Sequence, residues 1–209
     1  MVVRSHRQDG RLLEVVVNTD HALDKSGGRP LDMLAPKTTV MKVVLVGEGG
    51  VGKTSITLRY TENRFDDNMR MTVGANFASK KVTVGNTPIT LMLWDLGGQP
   101  RFHDVIQDYF RGAKFGIGVY DVNRVYTLER LAEWLNRLKG VAPDCDLLVV
   151  GNKTDERTGN GGISLAEGIA FASKFGADCI EVSAKTGEGV SEIFDTAARM
   201  LLQKHLPRA

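Results

Sequence analysis

The segment Gly47-Glu48-Gly49-Gly50-Val51-Gly52-Lys53-Thr54 follows the apolar run Val43-Val44-Leu45-Val46. G-x-x-x-x-G-K-[ST] leaving a strand is the phosphate-binding P-loop. Its glycines let the backbone wrap an anion so that successive N–H groups point inward as a nest. Lys53 can reach the β- and γ-phosphates as a point charge, and the Thr54 hydroxyl can ligate Mg²⁺. Thr54 and Ser55 also open a helix, whose N-terminal partial positive charge faces the phosphates. Gly47, Gly49, Gly50, Val51, Gly52, Lys53, Thr54 and Ser55 are therefore the candidate phosphate cradle.

Further polar constellations follow. Trp94-Asp95-Leu96-Gly97-Gly98-Gln99 stands at the end of a predicted strand. There Asp95 can hold Mg²⁺ through a water, as Walker-B acids do. Gly98 can offer a close N–H to a γ-phosphate, and Gln99 can orient an attacking water. The competing reading is a glycine-rich turn with a casual Asp, and pairing with the P-loop disfavours it. Asn152-Lys153-Thr154-Asp155 follows the apolar strand 146–151, and Ser183-Ala184-Lys185 follows the strand 178–182. The Asp155 carboxylate can accept from the guanine N1–H and amine. Adenine presents an acceptor at N1, leaving the carboxylate unpaired, and such a penalty selects a base. Asn152 offers its amide to the other base edge, the stems of Lys153 and Lys185 can cover the purine faces, and the Ala184 N–H can meet O6. Each short segment alone reads more simply as a polar turn; three in order at strand ends do not.

The elements that must position these residues alternate from Met41 onward. Strands are predicted at 41–47, 76–84, 89–95, 115–121, 146–151 and 178–183, and helices at 53–64, about 102–112, 127–139, 164–175 and 189–204. Gly85-Asn86-Thr87-Pro88 reads as a hairpin turn, and Leu128, Leu131, Leu135 and Leu138 recur at helical spacing. Such alternation argues an α/β doubly wound sheet, whose ligands sit beyond the strand C-termini, where all the motifs fall.

Bulk properties exclude several classes. A net charge of +2 gives no case for nucleic acid, and no apolar stretch is long enough to span a bilayer. Cys145 and Cys179 suggest neither a disulfide framework nor a zinc site, and read as reduced thiols of a cytoplasmic protein. Neither a C-terminal prenylation cysteine nor a glycine at position 2 is present, so no lipid anchor is expected. Residues 1–40 stand apart as an N-terminal extension, expected to be flexible. Three readings stay open for it: a disordered tail, a partner-binding arm, or upstream sequence fused by a wrong start. The run 12–17 could be strand or brief helix.

The chain resembles a Ras-superfamily small GTPase, nearest the Rab branch, over 41 to about 204. Gln99-Pro100-Arg101-Phe102, Tyr109-Phe110-Arg111-Gly112-Ala113, Val119-Tyr120-Asp121-Val122 and Ser183-Ala184-Lys185-Thr186-Gly187 carry the resemblance beside the P-loop. It implies a P-loop NTPase G domain at 41–209: a mostly parallel six-stranded sheet with one antiparallel edge strand and helices on both faces. It implies a switch that binds GTP with Mg²⁺ and hydrolyses it slowly to GDP and phosphate. Lys53, Gln99 and Thr72 are then the catalytic residues; Thr54, Thr72 and, through water, Asp95 hold the metal. Thr72 is placed by the family's spacing from the P-loop threonine, and Phe65 by the same route as the aromatic edge-on to guanine. Phe77, Trp94 and Tyr109 match an aromatic trio shown to effectors. Exchange factors, activating proteins and effectors are expected at 66–78 and 94–110, with membrane recruitment only through partners.

There are departures. Pro100 follows Gln99 where the family usually has Glu, and proline restrains its predecessor. Leu96-Gly97-Gly98 is spelled as in the Arf branch, and Met69 replaces a common aromatic. The alternative function is a GTP-binding module with negligible intrinsic hydrolysis. Arg70, two residues before Thr72, is a candidate built-in arginine against a default of plain solvent exposure.

Overall fold

The computed structural model describes residues 2–8, 11–17, 39–98, 108–157 and 161–205. The chain divides into two units, Met1–Lys37 and Thr38–Ala209. In the first, β1 (Val2–Gln8) and β2 (Arg11–Val17) pair antiparallel, so the 12–17 run is strand.

The second unit holds β3 (Thr39–Val46), α1 (Lys53–Glu62), β4 (Ala75–Val84), β5 (Thr87–Leu96), β6 (Phe115–Asp121), α2 (Val125–Val141), β7 (Asp146–Asn152), α3 (Leu165–Ser173), β8 (Asp178–Glu181) and α4 (Val190–His205). Strand order is β4-β5-β3-β6-β7-β8. Only β4, at one edge, runs antiparallel to its neighbour; the remaining pairs are parallel. This is the expected six-stranded α/β sheet.

The sheet is buried because each inner strand serves two cores. Along β3, Val43 and Leu45 face one cluster with Ile56 of α1 and Ile193, Phe194 and Leu201 of α4. Val44 and Val46 face the other, with Leu131, Trp134, Leu135 and Leu138 of α2. A period of two on a strand makes this alternation unavoidable, and burial on both faces explains the apolar centres of the inner strands, Val43–Val46 in β3 and Leu147–Val150 in β7. The leucine stripe of α2 behaves as expected: Leu131, Leu135 and Leu138 are fully buried, and Leu128 packs at the margin.

Two boundaries move for physical reasons. The β4–β5 hairpin closes over Gly85 and Asn86 alone, and Pro88 lies inside β5. Its missing N–H costs nothing, because the β3–β5 pairing begins one residue later, at Thr39 against Ile89. α1 stops at Glu62 because Asn63 adopts a left-handed cap, φ 50°, donating its N–H to Arg59 O and, through Arg64, drawing Leu58 O into the same turn. Most of the predicted 102–112 helix lies outside the described residues; 108–110 are helical.

Candidate functional site

The loops at the C-terminal ends of β3, β5, β7 and β8 enclose a cavity of about 250 Å³. Gly49, Gly50, Gly52, Lys53, Thr54 and Ser55 line its phosphate end with Thr72 and Gly98. Phe65, Asn152, Lys153, Asp155, Ala184 and Lys185 line the other. Gln99 lies outside the described residues.

The phosphate loop is shaped by what touches it. Gly52 caps α1 with φ 99°, and a Cβ there would lie 2.2 Å from Asn152 Nδ2, so both conformation and space require glycine. Gly98 presses on the loop from β5: a Cβ would stand 2.5 Å from Gly47 O and Gly49 N. Glycine at 98 thus lets two backbones meet at the phosphate end. Lys53 is buried and donates to Gly47 O at 2.7 Å and Glu48 O at 2.9 Å. Burial lowers its pKa from 10.5 to about 8, against the opposing pull of Asp95 and Glu48.

Three oxygens converge beside Lys53. Thr54 Oγ1 donates to Asp95 Oδ2 at 2.6 Å and lies 2.8 Å from Thr72 Oγ1. Asp95 is buried and its Oδ1 has no hydrogen-bond partner. Burial raises the Asp95 carboxyl, with the Thr54 hydroxyl and Lys53 charge pulling the other way. A buried carboxylate oxygen without a partner is costly, and two hydroxyls with one carboxylate form a hard-oxygen donor set. That set suits Mg²⁺, which keeps most of its waters and takes few protein ligands. Among the described residues no cluster of three His, Cys, Asp or Glu side chains competes as a metal site.

The base end is held by protein before any ligand arrives. Asn152, fully buried, donates Nδ2 to Val51 O at 2.9 Å and accepts the Ala184 N–H on Oδ1 at 3.0 Å. Both groups expected to meet the base thus engage one another, and Asn152 ties the phosphate loop to the 183–185 loop. Ser183 Oγ donates to Asp155 Oδ1 at 2.6 Å while accepting the Thr186 N–H at 3.0 Å. Asp155 stands exposed at the cavity wall, its carboxylate oriented by Ser183. Lys153 takes a left-handed conformation, φ 71°, and its ammonium sits 2.8 Å from Asp121 Oδ2, leaving its stem along the cavity. Lys185 meets Asp67 at 3.8 Å, an exposed pair of little energetic weight.

Sequence reasoning missed Arg59. From α1 it donates Nε to Ala184 O at 3.0 Å and Nη2 to Lys185 O at 2.6 Å, clamping the base-end loop. Separated by more than a hundred residues from its partners, it carries no local signal. Arg70 lines the cavity with an exposed side chain. Phe77, Trp94 and Tyr109 do meet: Phe77 and Trp94 pack edge-to-face at 4.6 Å, and Trp94 and Tyr109 at 5.7 Å. Phe77 remains 55% exposed. Cys145 and Cys179 are free thiols.

A phosphate cradle opposite an oriented carboxylate, at the switch edge of a parallel sheet, defines a P-loop nucleotide-binding protein. Residues 42–203 match the model of the Ras family. The chain is 38% identical over 167 residues to Ras-related protein Rab-18 of Lymnaea stagnalis, covering 79% of this chain and 82% of that one. It is 37% identical over 174 residues to Ras-related protein Rab-21 of Geodia cydonium, covering 81% and 74%. To Ras-related protein SEC4 of Saccharomyces cerevisiae it is 36% identical over 167 residues, covering 79% and 77%. The chain belongs to the Ras family and is a Rab-like small GTPase. Among the described residues no helix is long and apolar enough to cross a membrane.

Proposed function

We propose that this protein is a guanine-nucleotide switch that binds GTP with Mg²⁺ in the 250 Å³ cavity and hydrolyses it slowly to GDP and phosphate. The observation that carries this reading is the Thr54–Asp95–Thr72 oxygen cluster, with Asp95 buried and its Oδ1 unpaired. Thr54 and Thr72, with Asp95 through a water, would hold Mg²⁺, which would supply positive charge to the phosphate oxygens.

The chain's own groups do the rest. Lys53 exchanges the Gly47 and Glu48 carbonyls for phosphate oxygens. The loop 47–54 and the Gly98 N–H surround the phosphates, Phe65 meets the base edge-on, and the Lys153 and Lys185 stems flank it. Asp155, oriented by Ser183, accepts from the guanine N1–H and amine, while Ala184 and Asn152 hold the pocket's shape. Gln99 and the Thr72 carbonyl orient the attacking water, and catalysis is positioning and electrostatics. Thr72 follows the γ-phosphate, so its segment and the residues after Asp95 change order on hydrolysis. Exchange factors, activating proteins and effectors would read 66–78 and 94–110, with the exposed Phe77 at their centre. The protein acts in the cytoplasm and reaches membranes through partners. Residues 1–40 are an extension outside this G domain.

The test is retention of labelled GTP against ATP, followed by single-turnover phosphate release with and without Mg²⁺. Guanine-selective binding with Mg²⁺-dependent release that Gln99→Leu slows supports the reading. Selective binding without release establishes the module that scarcely hydrolyses, and equal uptake of ATP removes the guanine assignment.

A further inference from the structure

Behind Lys153 of the cavity wall lies an ion cluster in which Asp121 and Arg124 have no part in the proposed nucleotide chemistry. Asp121 ends β6, directly opposite Asn152 of β7, and is only 2% exposed. Its Oδ2 accepts from Arg124 Nε at 2.8 Å and from Lys153 Nζ at 2.8 Å. Its Oδ1 accepts the Asn123 N–H at 3.0 Å, and Asn123 Nδ2 donates in turn to Lys153 O at 3.1 Å. Burial alone would raise this carboxyl, but the hydrogen bonds from Lys153, Asn123 and Arg124 outweigh it and hold it below its usual range.

Arg124 has a second engagement. Its Nη1 donates to the Tyr126 hydroxyl at 2.9 Å and its Nη2 reaches Gly49 O at 3.5 Å. A Cβ built on Gly50 would lie 3.6 Å from the same Nη2. The guanidinium fork therefore spans from a buried carboxylate to the crown of the phosphate loop. The same Asp121 Oδ2 also holds Lys153, whose stem walls the base end. Two cations and one anion leave a net positive charge beside the phosphate loop, and a fork fixed by three partners is pre-organised.

We propose that Arg124, Asp121 and Lys153 form a charged bridge between the phosphate loop and the base-end loop, and that Arg124 is a positioning residue for nucleotide retention. The bridge rests on the reading that a guanine nucleotide occupies this cavity. It couples the two ends: movement of the loop at Gly49–Gly50 strains Arg124's contact with Gly49 O, and movement of Lys153 breaks its ion pair with the same Asp121 that holds Arg124.

The test uses the full-length chain loaded with a fluorescent GDP analogue, its release followed after excess unlabelled GDP. Arg124→Ala is expected to release GDP about tenfold faster, the loss of one charge-assisted contact. Asp121→Asn is expected to release it at least as fast, and the double variant no faster than Asp121→Asn alone, because one bridge is broken once. Unchanged release from Arg124→Ala, or effects of the two substitutions that multiply, overturns the bridge. The nucleotide comparison separates bridging from general loosening. GMP lacks the phosphate that the loop's crown encloses, so Arg124→Ala should weaken GMP by less than about twofold while weakening GDP about tenfold; equal weakening of both overturns the positioning role. Arg124 is a third exposed at its side chain and leaves Asp121 its second cation, so this variant tests the bridge even where Asp121→Asn does not fold. Wild-type protein that binds no guanine nucleotide overturns the pocket assignment itself, and the bridge with it.

Discussion

The two ends of the cavity are built on opposite principles. At the base end the polar groups are already spent on protein: Asn152 on Val51 and Ala184, Ser183 on Asp155 and Thr186, Arg59 on Ala184 and Lys185. At the phosphate end the groups are short of partners. Lys53 is buried against two carbonyls with a lowered pKa, and Asp95 keeps an unpaired oxygen. A pre-organised end discriminates cheaply, because little is ordered on binding. An end with unsatisfied charge gains most from a charged ligand, and loses most when part of that ligand departs. On the proposed reading, recognition falls to one end and switching to the other.

Substitutions that swap these characters should break the comparison. The largest effect belongs to Asp155→Ala at the base end. Removing two charge-assisted hydrogen bonds should weaken GTP about a thousandfold while leaving ATP unimproved, measured by equilibrium titration with both nucleotides. Next, Thr54→Ala at the phosphate end should weaken the apparent Mg²⁺ affinity about a hundredfold, read by titrating Mg²⁺ against the GDP release rate. Nucleotide selectivity should stay as in the wild type; a loss of guanine preference would unite the two ends and sink the division.

Arg59→Ala removes the clamp without touching the ligand. Release of GDP should quicken about tenfold, with the Mg²⁺ titration unmoved. The smallest effect is the pH dependence of Lys53. Its free pKa is lowered to about 8 by burial, and bound phosphates raise it again. Binding therefore takes up a proton between the free and bound values. The benefit is complete below pH about 8 and is lost as pH rises through the bound value. Calorimetry of GDP binding near pH 9 in buffers of different ionisation heat should register that uptake, and none near pH 7.

Much of this site was legible because its motifs are local. The P-loop, Asp95, Gly98, the 152–155 turn and Ser183-Ala184 each lie within a few residues of a strand end, and the sheet gathers strand ends on one edge. Thr72 and Phe65 came only through family resemblance, for nothing in their own neighbourhoods distinguishes them. The duties of Asn152 were only half visible: its position was plain, but its amide joins two loops rather than facing the base. Arg59 on α1 and Arg124 at the N-cap of α2 were invisible, since a lone arginine at such a position is ordinary.

The order of motifs along the chain determined by itself the ligand class, the strand ends that carry it and the two-faced burial of β3, because spacing and period are properties of a one-dimensional pattern. Which polar atoms are satisfied and which are left waiting was decided only in three dimensions. A hydrogen bond between residues 101 apart, such as Asn152 to Val51, depends on where the sheet sets two loops, and no local composition encodes that distance.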